Sequence, residues 1–181
     1  AAIQERIQDS DHVPEIHYAK AEFTEEMKND KDYTILVPEM SPIHFPIIQA
    51  AARAAGYNVK VLSPVRADID EGLASVNNDA CYPSICVVGQ IMKALLSGKY
   101  DLNHVAIAMT QTGGGCRATN YVGFIHKALD EAGLSQIPVI SLNTQGFEPQ
   151  PGFKFSLSLA TNLVQAVIYG DALQQCLYRT R

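Results

Sequence analysis

No apolar run in the 181 residues approaches the roughly 18 that a membrane span requires. No secretory leader stands at Ala1 either, so a membrane protein is not expected. Basic residues are also in short supply: 14 Lys and Arg face 19 Asp and Glu, the formal charge is -5, and no basic cluster stands out. That argues against nucleic acid or another polyanion as a partner, because such partners need a basic face. Cysteine is limited to Cys81, Cys86, Cys116 and Cys176, too few and too scattered for a disulfide framework in a chain of this size. A reducing cytoplasm is the expected compartment, and the cysteines are expected to serve a metal, a cluster or no chemistry at all. The short C-x-x-C pairs of a zinc site are missing, as are the G-x-x-x-x-G-K-[ST] and G-x-G-x-x-G turns of nucleotide sites. There is no initiator Met, and the end at Thr180-Arg181 is abrupt, which predicts a piece excised from a longer polypeptide.

What remains is an ordinary globular composition, 47% hydrophobic with a mean hydropathy of -0.02, long enough for one domain with a real core. Residues 1–32 are charged and lack a sustained apolar period, apart from a possible short helix around Ala21 to Lys28. They are expected to form a linker or docking arm. Residues 33–181 read as one α/β domain. Thr34-Ile-Leu-Val37, Asn58-Val-Lys-Val-Leu62, His104-Val-Ala-Ile-Ala-Met109 and Pro138-Val-Ile-Ser-Leu142 are short aliphatic runs suited to strands buried on both faces. Between them lie helical stripes: Phe45, Ile48, Ala52 and Ala55; Ile85, Val88, Met92 and Leu95; Val122, Ile125, Leu129 and Ala132. Gly56, Gly98 and Gly133 stand where these should stop. A last helix carries Leu159, Leu163, Ala166, Gly170, Leu173 and Leu177 on one face. Residues 68–80 are ambiguous, with one helical turn expected at 70–73 and an Asn/Asp loop after it. Alternating strands and helices predict a Rossmann-like or flavodoxin-like open parallel sheet of about four strands, with helices on both sides.

The densest stretch is Thr110-Gln-Thr-Gly-Gly-Gly-Cys116-Arg-Ala-Thr-Asn-Tyr121, which follows the third strand and enters a helix running from Ala118 to Ala132. Gly113, Gly114 and Gly115 would let a bulky ligand approach the backbone. Cys116 and Arg117 stand where a helix start lowers a thiol pKa and favours anions. Ligands of open parallel sheets bind outside the carboxyl ends of the strands, near the point where strand order reverses. His44, the 77–83 loop, the 113–117 turn and Asn143 all fall on that edge. Cys81 and Cys116 each precede a helix there and are expected to converge.

Bland readings accompany each residue. Cys116 is alternatively a small buried hydrophobe, Arg117 a salt-bridge partner, and His44 a turn histidine held by a backbone carbonyl. Asn77, Asn78, Gln90, Gln111 and Asn120 are ligand contacts or simple helix caps. His12, His17, His104 and His126 show no partner pattern. Cys86 falls one position off the inner stripe, and its C-x4-C spacing from Cys81 is taken as coincidence. Cys176 is expected in the core.

Asn77-Asn-Asp-Ala-Cys81-Tyr-Pro83 with Gly89-Gln90, the Gln111 to Tyr121 block, Pro138 to Asn143, and Tyr169-Gly-Asp171 together resemble the acyl-CoA dehydratase activase-related proteins. These join activator-type ATPase domains to a region similar to the 2-hydroxyacyl-CoA dehydratase subunits. The resemblance covers residues 33–181 and implies that this chain is the dehydratase-like part. It also implies a [4Fe–4S] cluster with Cys81 and Cys116 as ligands, a third ligand from outside the chain, and room made by the three glycines. Arg117 would then face the negative cluster or an acyl-CoA. Low-potential electron transfer would be powered by the ATPase domains as partners, and the fragment alone is expected to be inactive. Two other readings stay open: an interaction domain that docks the ATPase domains without a cluster, and a flavodoxin-like phosphate or flavin binder at the same edge.

Overall fold

A computed structural model of the chain describes residues 20–77, 79–111, 120–143 and 150–180. Four strands, β1 (Thr34–Pro38), β2 (Val59–Leu62), β3 (Val105–Gln111) and β4 (Val139–Asn143), form one sheet in the order β2-β1-β3-β4, and every pairing is parallel. Strand alternation sends neighbouring residues to opposite layers. Leu36, Leu62, Val105, Ile107 and Val139 join one core cluster, whereas Ile35, Val59, Ala106, Ala108 and Ile140 join the other. That is why β1, β3 and β4 carry apolar residues for both layers in succession, whereas β2 turns Lys60 outward. The expected open α/β sheet with both faces covered is the observed fold.

On the first face lie α3 (Ala67–Ser75), α4 (Tyr82–Leu96) and α5 (Tyr121–Glu131). The stripe Ile85, Val88, Met92 and Leu95 is buried as expected, with Val88 and Ile91 fully inaccessible. The second face is covered by α2 (His44–Ala54) and α6 (Leu157–Thr180), together with the segment around α1 (Glu25–Asn29). Gly56, Gly98 and Gly133 end their helices at positive φ (88°, 69° and 69°), a backbone state that glycine reaches without strain.

Five local expectations are corrected. Residues 67–75 are a nine-residue helix rather than one turn. It forms because α3 crosses α4 at a glycine-to-backbone distance: a Cβ on Gly72 would sit 2.1 Å from the Ile85 carbonyl oxygen, and one on Gly89 1.8 Å from that of Asp68. Asp68 is buried there but satisfied, accepting from Val65 N at 2.6 Å and pairing with Lys93 at 3.2 Å. Residues 20–32, expected in a linker or docking arm, are instead built into the domain. Phe23 is 1% exposed, its N–H donates to Gln150 Oε1, its carbonyl accepts from Gly152 N, and its ring meets Tyr33 edge-on at 5.7 Å. Lys154 pairs with Glu25 across the same seam. In α6 the stripe is buried only at Leu159, Ala166 and Gly170; Leu173 and Leu177 are 41% and 38% exposed. Cys176, expected in the core, is exposed on that same stretch, because the helix outruns the sheet it covers. Ala132, expected on the inner face of α5, is its exposed C-terminal cap.

Candidate functional site

Chain order reverses between β1 and β3: β2 lies beyond β1 on one side and β4 beyond β3 on the other. Loops leaving that pair diverge at their carboxyl ends and open a crevice. One wall is fixed by Gln90 of α4, whose Nε2 donates to the Glu39 carbonyl at 3.1 Å while Glu39 N donates to its Oε1 at 2.9 Å. With both ends of its amide used, Gln90 holds the exit of β1 rather than a ligand.

Cys81 stands on the same edge as the half-buried N-cap of α4, with φ -65° and ψ 145°. Pro83 suits the first turn, where an N–H has no helical partner to lose. The Cys81 carbonyl accepts from Ser84 N and Ile85 N at 2.9 and 3.2 Å, so the thiol projects from the point where the helix dipole favours negative charge. Its Sγ lies 3.5 Å from Ser84 Oγ and 3.8 Å from the Tyr121 hydroxyl. Tyr121 is the first residue of α5, the helix that follows Gly113 to Gly115 in the chain. That contact brings the starts of α4 and α5 together. Beside it lies a hollow of about 260 Å³ lined by Asn77, Asp79, Ala80, Cys81, Asn120 and Phe124, and Asn77 Oδ1 braces the loop by accepting from Asp79 N at 3.3 Å.

Of the predicted site residues, Cys81 is placed. Gly113, Gly114, Gly115, Cys116 and Arg117 lie outside the described residues, as do Asn78, His12 and His17. Cys86 is half-buried further along α4. Its side chain sits against Tyr82, whose phenol it pushes above the ordinary value through a hydrogen bond and its charge. Asn120 precedes α5 without a side-chain capping bond and faces the hollow. Among the described residues no three His, Cys, Asp or Glu side chains converge as a metal site would need. What is present fits a cluster in part: one thiolate candidate at a helix start, with space next to it.

Sequence reasoning missed two arrangements. Tyr121 stands in the sequence only as the end of a motif, yet it carries the contact to Cys81. His44 is held by side chains instead of a backbone carbonyl: Ser41 Oγ lies 2.8 Å from Nδ1 and Asp171 Oδ1 3.1 Å from Nε2. The imidazole packs flat against Gly170, where a Cβ would come within 2.4 Å of the ring. The Tyr-Gly-Asp run of α6 was the available signal, since glycine followed by a carboxylate on a helix admits a ring and then binds it. In comparison with known proteins, no family model matches the chain and no curated protein matches it.

Proposed function

We propose that the chain is the iron–sulfur module of a 2-hydroxyacyl-CoA dehydratase/activase-like system. In this reading Cys81 and Cys116 give two thiolates to a [4Fe–4S] cluster, and ATPase domains outside the chain drive low-potential electron transfer through it. The observation that carries the reading is the 3.8 Å approach of Cys81 Sγ to Tyr121. Cys116 is five residues before Tyr121, so at most about 18 Å of extended chain separates it from that contact. Gly113 to Gly115 would leave room for the cluster, and Arg117 would balance its charge or that of an acyl-CoA. The bound cluster would supply one-electron chemistry. The chain's own part is to anchor an iron through Cys81, and to set the sulfur's surroundings through the helix start and the Ser84 and Tyr121 hydroxyls.

Iron and acid-labile sulfide in the intact parent protein, purified without oxygen, test this. One cluster's worth is expected, lost on Cys81→Ala and on Cys116→Ala and kept on Cys176→Ala. The 181-residue chain reconstituted alone is expected to hold no stable stoichiometric cluster, because the third ligand is assigned outside it. Iron that survives both single substitutions would overturn the reading. A second reading, an interaction domain that docks the ATPase domains without a cluster, draws on α6, where Val164, Ile168, Tyr169 and Tyr178 are 58–66% exposed. Under it, substitutions at Ile168 and Tyr178 release the ATPase domains and the cysteine substitutions change nothing.

A further inference from the structure

The second face of the sheet holds an apolar hollow that neither reading uses. Its volume is about 110 Å³, and it lies between β1, β3 and the inner side of α2. The helix above it is amphipathic in pattern, yet none of its residues is buried. Phe45, Ile48 and Ala52 line the space, and Ala52 also packs against the core beneath it. At the far end Tyr57 and Phe153 close it, with ring centroids 5.0 Å apart. The Tyr57 hydroxyl is turned to the Lys154 backbone, donating to its carbonyl at 3.1 Å and accepting from its N–H at 3.0 Å, so that end offers water no partner. At the near end stand Met40, 47% exposed, and the exposed Thr110. Both belong to the carboxyl edge, so the mouth opens on the side where this class of sheet takes its ligands.

An apolar space without polar partners stays dry and takes up apolar guests; a cavity of about 150 Å³ holds a benzene ring. The present hollow is smaller and follows α2 from Phe45 to Ala52, about 10 Å of helix, a shape for a chain rather than a ring. We propose that it binds the unbranched aliphatic tail of a small ligand, about four to five carbons by proportion to that cavity, whose polar end stays at the rim near Thr110.

The test uses iron-free chain and straight-chain primary alcohols from propanol to heptanol, followed by NMR of the Met40 methyl group, which stands at the mouth of the hollow. Affinity is expected to rise about fourfold per added methylene and to level off near pentanol. Ala52→Leu fills the space from the helix and should abolish the dependence on chain length while raising the melting temperature. Ala108→Val, from the sheet side, gives the same readout if the first variant does not fold. Affinity that stays flat across the series in the wild type overturns the proposal, as does a series that neither folded variant alters. Because no iron is present, the outcome is independent of the cluster.

Discussion

On one face of the sheet α4 buries nine of its 15 residues; on the other, α2 buries none of its 11. The difference lies in what each helix has on its outer side. α4 is clasped between the sheet and α3, and the two helices approach at Gly72 and Gly89 until backbone meets backbone. Among the described residues α2 has α6 as its helical neighbour, and the two are joined through the imidazole of His44 lying on Gly170. Cys81 belongs to the tight face, and a metal ligand gains from that, since its position is set by packing rather than by the ligand. The hollow and the exposed apolar residues of α6 belong to the loose face, where a guest has room to enter.

The contrast breaks most easily at the glycines. Gly89→Ala places a methyl group 1.8 Å from the Asp68 carbonyl oxygen, a backbone atom that yields only if the helices part. The expected loss is at the upper end for a single substitution, about 4 kcal/mol, read from the urea midpoint. A cost under about 1 kcal/mol would mean that α3 is not clasped. Next comes a matched pair. Ile91→Ala removes a fully buried side chain and should cost about 3 kcal/mol. Ile48→Ala removes one that borders the hollow and should cost about 1 kcal/mol, since the transfer of half-buried atoms is lost without a new cavity in close packing. Equal costs would mean that the two faces are packed alike.

How much of this could be read from the residues alone differs by the same division. The tight face was legible: the stripe from Ile85 to Leu95 and Pro83 at the helix start describe α4 closely, and with it the position of Cys81. α3 was legible only as the single turn at 70–73, because Asp68, Asp70 and Gly72 weaken a longer helix on propensity. The close approach that favours glycine there involves Gly89, far away in sequence. The loose face was legible only as pattern. Leu173 and Leu177 continue the stripe of α6, but periodicity says which side chains are suited to burial and not whether a surface arrives to bury them. Phe23 failed the other way: one aromatic in a charged stretch has no period, and its partners at Gln150 and Gly152 are over a hundred residues on. At the site, the separate helix starts could be deduced from spacing, whereas the Cys81–Tyr121 contact, 40 residues apart, follows only from how α4 and α5 lean together.

The smallest effect is expected where the α1 segment is tied to the sheet, at the rim opposite Cys81. His104 precedes β3, with Nδ1 2.7 Å from Asp101 Oδ2 and Nε2 3.6 Å from Asp30 Oδ2, and its ring meets Tyr33 edge-on at 6.2 Å. The hydrogen bond to Asp101, aided by the charges of Asp101, Asp30 and Asp32 and opposed by desolvation, raises its pKa above the ordinary 6.5. Folding therefore favours the protonated ring. The contribution is complete below the unfolded value and disappears as pH rises through the higher folded one. Asp101, whose own pKa is lowered by the Asn103 backbone and by His104, contributes in the opposite window: its share is kept above the ordinary carboxylate value and lost as pH falls through the depressed one. Both are therefore present between about pH 5 and 6. His104→Gln should lower the melting temperature slightly at about pH 5.5, and the two curves should merge as pH rises through the raised folded value. The site is exposed, so added salt should shrink the gap. A difference that persists unchanged at high pH would assign the role of His104 to its edge contact with Tyr33 and not to its charge.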